Sequence, residues 1–323
     1  MDLDNWHSGK EPKLTIGLPV YNGERYLRFA IDSLLAQTYS DFELLISDNA
    51  STDGTMLICQ EYAARDPRIR YFRNMENIGA AANFNKLFQL SRGEYFKWAA
   101  ADDVISPTFI EKCMEKLESD RSIILAYSKV NRIDSSGEVD GVYDYPMRVD
   151  AADPHTRFSD LILVNHFCVA IFGVIRREVL EQTPLIGKYV GSDRVLLAEL
   201  GLRGRLYEIP EYLFHRRDHP QASGRMFKMY KRLAWFDPAK EKNLNLVYWK
   251  IGSEYLRSVH RVDLPWKERL ECYRAVIRWF IMRRRSLVED MKAAVIQLVP
   301  FSKSLIQTVR RLQGNRRLPG GGI

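Results

Sequence analysis

The sequence predicts an α/β fold, a mostly parallel sheet with helices on both faces, followed by a basic α-helical C-terminal region. Three observations carry that prediction. Over the first 130 residues, short strand-like apolar runs alternate with apolar residues at helical spacing. The connections between them are short, the pattern of strand–helix–strand units in a parallel sheet. The charge also divides: residues 225–323 hold 22 Lys+Arg against 8 Asp+Glu, and residues 1–224 hold 26 against 33, so the net +7 hides an acidic region followed by a basic one.

The run Lys13 to Leu18 is the first strand, and Leu27, Ala30, Ile31, Leu34 and Leu35 follow as one helix face. Phe42 to Ser47 is the second strand, ending at Asp48, and the helix from Thr55 to Arg65 stops before Asp66-Pro67. Ile69 to Phe72 is the third strand. Ala80 to Leu90 is helical with Gly93 as its cap, and Tyr95 to Trp98 is the fourth strand. Ser106 caps the next helix and Pro107 takes its first position, with Phe109, Ile110, Cys113, Met114 and Leu117 on its apolar face. Ile123 to Tyr127 is the fifth strand. Periodicity weakens from Gly137 to Phe158, which marks an insertion or hairpin, and strand and helix return over Leu161 to Arg176 and Gly191 to Pro210. Several helices are expected from Leu246 to Leu312. The division that follows is a first domain over 1–225, a basic helical extension over 226–315 and a disordered tail over 316–323.

Composition excludes several classes. A chain of 323 residues with 46% hydrophobic and 28% charged residues has ample apolar material for a core. No apolar run reaches the ~18–20 residues of a membrane span, and the first residues lack a basic n-region and an apolar h-region, so a cytoplasmic location is expected. Cys59, Cys113, Cys168 and Cys272 form no CxxC pair for zinc or redox work, so buried reduced thiols are expected. The first turn, Pro19-Val20-Tyr21-Asn22-Gly23, lacks the G-x-G-x-x-G spacing of a dinucleotide-dependent oxidoreductase. No nucleic-acid fingerprint accompanies the basic region, so nucleic acid is not an expected partner.

Ligands of such sheets bind beyond the carboxyl ends of the strands, so four loops carry the candidate site. In the first, Asn22 and Gly23 either begin a helix or meet a ligand, and Tyr21 is able to lie on a base. The second, Asp48-Asn49-Ala50-Ser51-Thr52-Asp53-Gly54, is an Asx-turn or a carboxylate aimed at a ribose or base edge. The third runs from Asn74 to Asn83. In the fourth, Ala101-Asp102-Asp103, two adjacent carboxylates repel unless a cation or donors lie beside them; a divalent metal on a diphosphate would relieve them, or one caps a helix.

Read in order, Gly17 to Glu24, Leu34 to Tyr39, Glu43 to Thr55, Asn77-Ile78-Gly79 with Asn83, and Gly93-Glu94-Tyr95 resemble the opening of glycosyltransferase family 2, inverting enzymes of the GT-A fold. The resemblance extends to about residue 225. It implies a nucleotide site at Pro19, Val20, Tyr21, Asn22, Glu24, Asp48, Asn49, Asn83, Ala101 and Asp102. It further implies a divalent metal, Mn²⁺ or Mg²⁺, on Asp102 and His219, with Asp103, Arg217 and Arg225 supporting the diphosphate. The family's usual Asp-x-Asp-Asp is Ala100-Ala101-Asp102-Asp103 here, so the first aspartate is missing. The family's base is usually written Glu-Asp; Ser192 replaces the glutamate and Asp193 matches the base.

The implied function is transfer of a sugar from a nucleotide-sugar donor, UDP- or dTDP-linked, to a hydroxyl of a glycan or lipid-linked acceptor, as in bacterial surface-polysaccharide synthesis. The alternative is a non-catalytic nucleotide-sugar or membrane-surface binding module with a degenerate site. In the tail, Trp266, Leu270, Tyr273, Ile277 and Ile281 share a helix face with basic neighbours. That face suits peripheral contact with an anionic membrane at the inner face of the cytoplasmic membrane, packing on the first domain, or a homo-oligomer interface.

Overall fold

The computed structural model describes residues 11–220 and 246–298. Its centre is β1 (Leu14–Val20), flanked in parallel by β2 (Phe42–Asp48) and β4 (Tyr95–Trp98), with β3 (Ile69–Arg73) parallel to β2. Every residue of β1, β2 and β4 is buried, as expected of strands covered on both faces. Helices α1 (Leu27–Leu35), α2 (Thr55–Arg65) and α3 (Ala80–Leu90) are the crossovers. Leu14, Ile16 and Leu18 of β1 enter one apolar cluster with Leu27, Ile31 and Leu34 of α1. Leu45, Phe96 and Trp98 enter the other, on the face where Leu87 of α3 lies.

The sheet runs in the order β3-β2-β1-β4-β8-β6-β9-β5, with β7 paired to β6. The added strands are β5 (Val104–Ile105), β6 (Ile123–Ile133), β7 (Val139–Tyr143), β8 (Val174–Arg176) and β9 (Arg205–Arg217). Parallel ladders carry most of the pairing, β6 with β9 forming the longest, while β8 enters antiparallel between β4 and β6. Between these strands lie α4 (Phe109–Ser119), α5 (Pro154–Leu163), the short α6 (Arg177–Leu180) and α7 (Ser192–Arg203). The stretch from Gly137 to Phe158 is part hairpin, as one reading had it, and part α5, which opens at Pro154.

Two local expectations are corrected. The helix after the fourth strand begins at Phe109, and Ser106 is no cap: its hydroxyl meets His215 Nε2 at 2.9 Å while its amide donates to Leu213. Gly93 does not cap α3, which ends at Leu90 with Ser91 in the cap position; a Cβ on Gly93 would stand 2.6 Å from the Thr15 amide nitrogen. That glycine serves close backbone approach to β1.

The C-terminal helices are α8 (Val247–Arg261), α9 (Trp266–Met282) and α10 (Arg284–Leu298). Apolar residues of α7 (Leu196, Leu200), α8 (Tyr255, Val259) and α9 (Val276, Trp279) belong to one continuous core cluster. At that seam Glu199, fully buried, accepts from Ser258 Oγ at 2.9 Å, Arg261 Nη2 at 2.6 Å and Arg203 Nη2 at 2.9 Å. Among the described residues no helix is long and apolar enough to cross a membrane.

Candidate active site

The first two loops lock together. Asn22 holds φ +51°, a conformation asparagine tolerates, and its amide donates to Ser51 Oγ at 2.9 Å while its Oδ1 accepts from the Thr52 amide at 2.8 Å. Glu24 Oε2 accepts from the Gly54 amide, and Asp53 Oδ2 accepts from the Glu24 amide. Pro19 and Val20 are buried at the end of β1, whereas Tyr21 is 47% exposed above them.

Asp48 ends β2 fully buried. The β2–β3 register sets it beside Arg73, whose Nη1 reaches Oδ2 at 2.5 Å, and Tyr71 and the Ser51 amide complete its shell. Asn49 and Asn83 join a third-loop network. Asn49 Oδ1 accepts from Asn74 and from the Ile78 amide, and Asn83 bridges the hydroxyl and carbonyl of Ser47. These asparagines therefore fix the β2 and β3 loops to one another.

The fourth loop meets the end of β9. His219 Nε2 lies 2.9 Å from Asp102 Oδ2, and the Arg217 amide donates to Asp103 Oδ1 at 2.8 Å. Arg217 is buried, its Nε on the Asp102 carbonyl and its Nη1 on the Asp134 carbonyl, and its guanidinium lies over the Tyr26 ring, which in turn meets the His219 ring at a tilt of 53°. Ala101 lies beside Gly23, so the first and fourth loops adjoin. Burial, and then the charge of Asp102, push the Asp103 carboxyl well above the usual carboxylate range. Below it, Lys97 is buried and pulled down to about 8 by desolvation, its ammonium against the Phe172 carbonyl and the Phe109 ring.

A carboxylate and an imidazole suit Mn²⁺ or another borderline divalent ion better than Mg²⁺. The fit has further support in His219, 6% exposed, whose Nδ1 has no partner among the described residues. No group of three or more His, Cys, Asp or Glu suited to a metal occurs among the described residues, so two protein ligands would leave the remaining positions to diphosphate oxygens.

Asp193 has different neighbours. Gly191, at φ +85°, turns the chain into α7, and Asp193 lies in the first turn with Oδ1 accepting from the Arg194 amide. Arg194 donates to the carbonyl of His166, and the charge of Asp193, after burial, raises the thiol of Cys168. Between these two lies Phe167, 44% exposed, with the Arg216 guanidinium 4.4 Å from its ring and Tyr143 edge-on at 5.0 Å. Ser192 is buried with its hydroxyl unpartnered among the described residues. Arg225 lies outside the described residues.

The structure thus brings together Asp102, Asp103, Arg217 and His219 as one group, and Asn22, Glu24 and the second loop as another. Lys97, Arg73 and the Phe167–Tyr143–Arg216 cluster were missed. Lys97 sits in an apolar strand with no local signal, and Arg73 gains meaning only through the pairing of β2 with β3.

The profile of Glycosyl transferase family 2 matches residues 15–183, just over half of the chain. The chain belongs to glycosyltransferase family 2. Escherichia coli chondroitin synthase is 33% identical over 157 residues, 48% of this chain and 22% of that protein. An uncharacterized glycosyltransferase of Methanocaldococcus jannaschii is 34% identical over 131 residues, 40% of this chain and 45% of its own length. The chain thus spans less than half the length of these relatives. Among solved structures, S. aureus TarS in complex with UDP-GlcNAc superposes with a TM-score of 0.63 at 15% identity, covering 88% of this chain and 79% of that one. That likeness establishes the GT-A fold of this family 2 member.

Proposed function

We propose that this family 2 glycosyltransferase moves a sugar, with inversion, from a UDP- or dTDP-sugar to a hydroxyl of a glycan or lipid-linked acceptor in surface-polysaccharide synthesis. The observation that carries the reading is the paired Asp102 and His219 beside the interlocked first and second loops. The chondroitin synthase likeness and the UDP-GlcNAc complex of TarS support the donor class and the polymer.

The nucleotide would lie on Pro19, Val20 and Tyr21 against the second loop, with Asn22, Glu24, Asn49 and Asn83 holding the loop shape. Asp48 would meet base or ribose by exchanging one of its present donors, since its carboxylate already accepts three hydrogen bonds. A divalent ion, when bound, would supply positive charge against the leaving diphosphate, and Asp102 and His219 would hold it. Asp103, accepting from the Arg217 amide, and Arg217, tied to the Asp102 and Asp134 carbonyls, keep that loop in place.

Asp193 would take the proton from the acceptor hydroxyl as its oxygen bonds to the anomeric carbon and the bond to the diphosphate oxygen breaks. Phe167 and Tyr143 offer an aromatic face for an acceptor ring on the same side.

A binding module without turnover is the second reading, favoured by Ala100 and Ser192 where the family pattern has carboxylates. Thermal melting with UDP, dTDP, GDP and ADP, with and without Mn²⁺, tests the site. Saturation at ~100 times the dissociation constant adds ~2.7 kcal/mol. A Mn²⁺-dependent rise with UDP or dTDP, lost in Asp102→Ala, is expected; no rise with any nucleotide overturns the proposal. Hydrolysis or transfer of the donor sugar then separates enzyme from module.

A further inference from the structure

Helix α9 carries two apolar faces, and only one of them is packed. Cys272, Ala275, Val276 and Trp279 are buried against the rest of the chain. At ~100° per residue, Trp266, Leu270, Ile277 and Ile281 fall within an arc of about 60°, centred roughly 160° away from that buried face, while Tyr273 beside them packs on the core. Trp266 is 70% exposed, and Ile277 and Ile281 are 58% exposed each. Val288, Met291 and Val295 of α10, all at least half exposed, repeat the pattern at spacings of three and four. An amphipathic helix needs one apolar face to fold onto its domain; the second has no folding role in the described residues.

We propose that this second face is a docking surface for an anionic lipid bilayer, with the two helices lying in the plane of the headgroups. Charge selects this occupant. Residues 266–295 hold eight Lys+Arg against four Asp+Glu, and Lys267, Arg278, Arg284 and Arg285 are exposed. Apolar side chains entering the acyl boundary, with Lys and Arg left at headgroup level, is how interfacial helices bind anionic membranes. A second copy of the chain fits less well. A two-fold dimer on this face would bring each basic set against its own duplicate. The inference is independent of the sugar transferred, and it gives the enzyme a reason to work on an acceptor held at a membrane.

Flotation of the full chain with vesicles tests it, using phosphatidylcholine alone and phosphatidylcholine with about 30 mol% phosphatidylglycerol. Binding is expected to the anionic vesicles and to weaken sharply at about 0.5 M salt. Arg278→Gln with Arg285→Gln should weaken partitioning by about fivefold per charge. Ile277→Gln with Ile281→Gln should weaken it at least tenfold, and both variants should keep the wild-type melting temperature. Absence of the folded wild-type chain from anionic vesicles overturns the proposal. So does a dimer in light scattering that the isoleucine substitutions disperse. Equal binding to neutral vesicles with no effect of the arginine substitutions overturns the anionic requirement.

Discussion

At the scale of single residues, the chemistry rests on groups whose role depends on what stands beside them. Asp193 is one of several first-turn carboxylates a sequence offers, and the argument for it is its place on α7 next to the exposed Phe167. Asp193→Asn should lower kcat by ~10²–10⁴ while the nucleotide-dependent rise in melting temperature stays unchanged, because the base we propose is not one of the nucleotide contacts we propose. A kcat within threefold of wild type would remove Asp193 from the reaction. Gly93 gives a prediction about the scaffold. Gly93→Ala puts a methyl 2.6 Å from the Thr15 nitrogen and 2.8 Å from the Tyr95 carbonyl oxygen. Neither backbone can retreat without parting β1 from β4, so the variant should lose about 1–3 kcal/mol in denaturant melts. Most of the candidate carboxylates and the histidine were legible in the sequence, since polar residues at strand ends announce themselves. Lys97 was not, because a lysine between Phe96 and Trp98 looks like an ordinary outward position until the Phe172 carbonyl and the rings of Phe109 and Phe214 enclose it.

At the scale of elements, the parallel half was legible because α1, α2 and α3 each follow a short buried strand, and their boundaries agree to within a residue or two. The antiparallel half was less so. Strand β5 is two residues long, and β9 places Arg217 and Arg216 only through its long pairing with β6, which no local pattern encodes. That half also carries two histidines whose protonation burial opposes. Burial lowers the pKa of His215, and burial with the charge of Arg194 lowers that of His166. The unfolded chain protonates such side chains near about pH 6.5. Their contribution to stability is therefore complete above that value and is lost as pH falls below it toward their lower folded values. Denaturant melts at pH 7.5 and 5.5 should show the loss, and His215→Gln should flatten part of it. An unchanged pH slope in His215→Gln would place the proton uptake elsewhere.

At the scale of the whole molecule, the steep change of charge suggested an appendage joined to a working domain, yet the apolar core runs through α7, α8 and α9 without a break. Tyr255 lies at that junction, fully buried, with Phe158 at 6.0 Å and Trp279 at 5.4 Å. Its hydroxyl has no partner among the described residues. Two substitutions at this position therefore move stability in opposite directions. Tyr255→Ala removes a buried ring and should cost about 3–5 kcal/mol. Tyr255→Phe keeps the ring and deletes an unpaired polar group, and should raise stability by about 1–3 kcal/mol. The informative readout is which part of the protein responds. With one shared core, Tyr255→Ala lowers a single transition followed alike by far-ultraviolet circular dichroism and by loss of bound nucleotide, although the residue lies in the C-terminal helices. With two independently folding units, the helices melt early and the nucleotide-dependent transition stays where it was. The buried Glu199, held by Arg261 and Ser258 from α8 and by Arg203 from its own helix, argues for the first outcome. Separating α8 would return that carboxylate to water only by also exposing Leu196 and Leu200, so the basic helices and the sheet have reason to melt together.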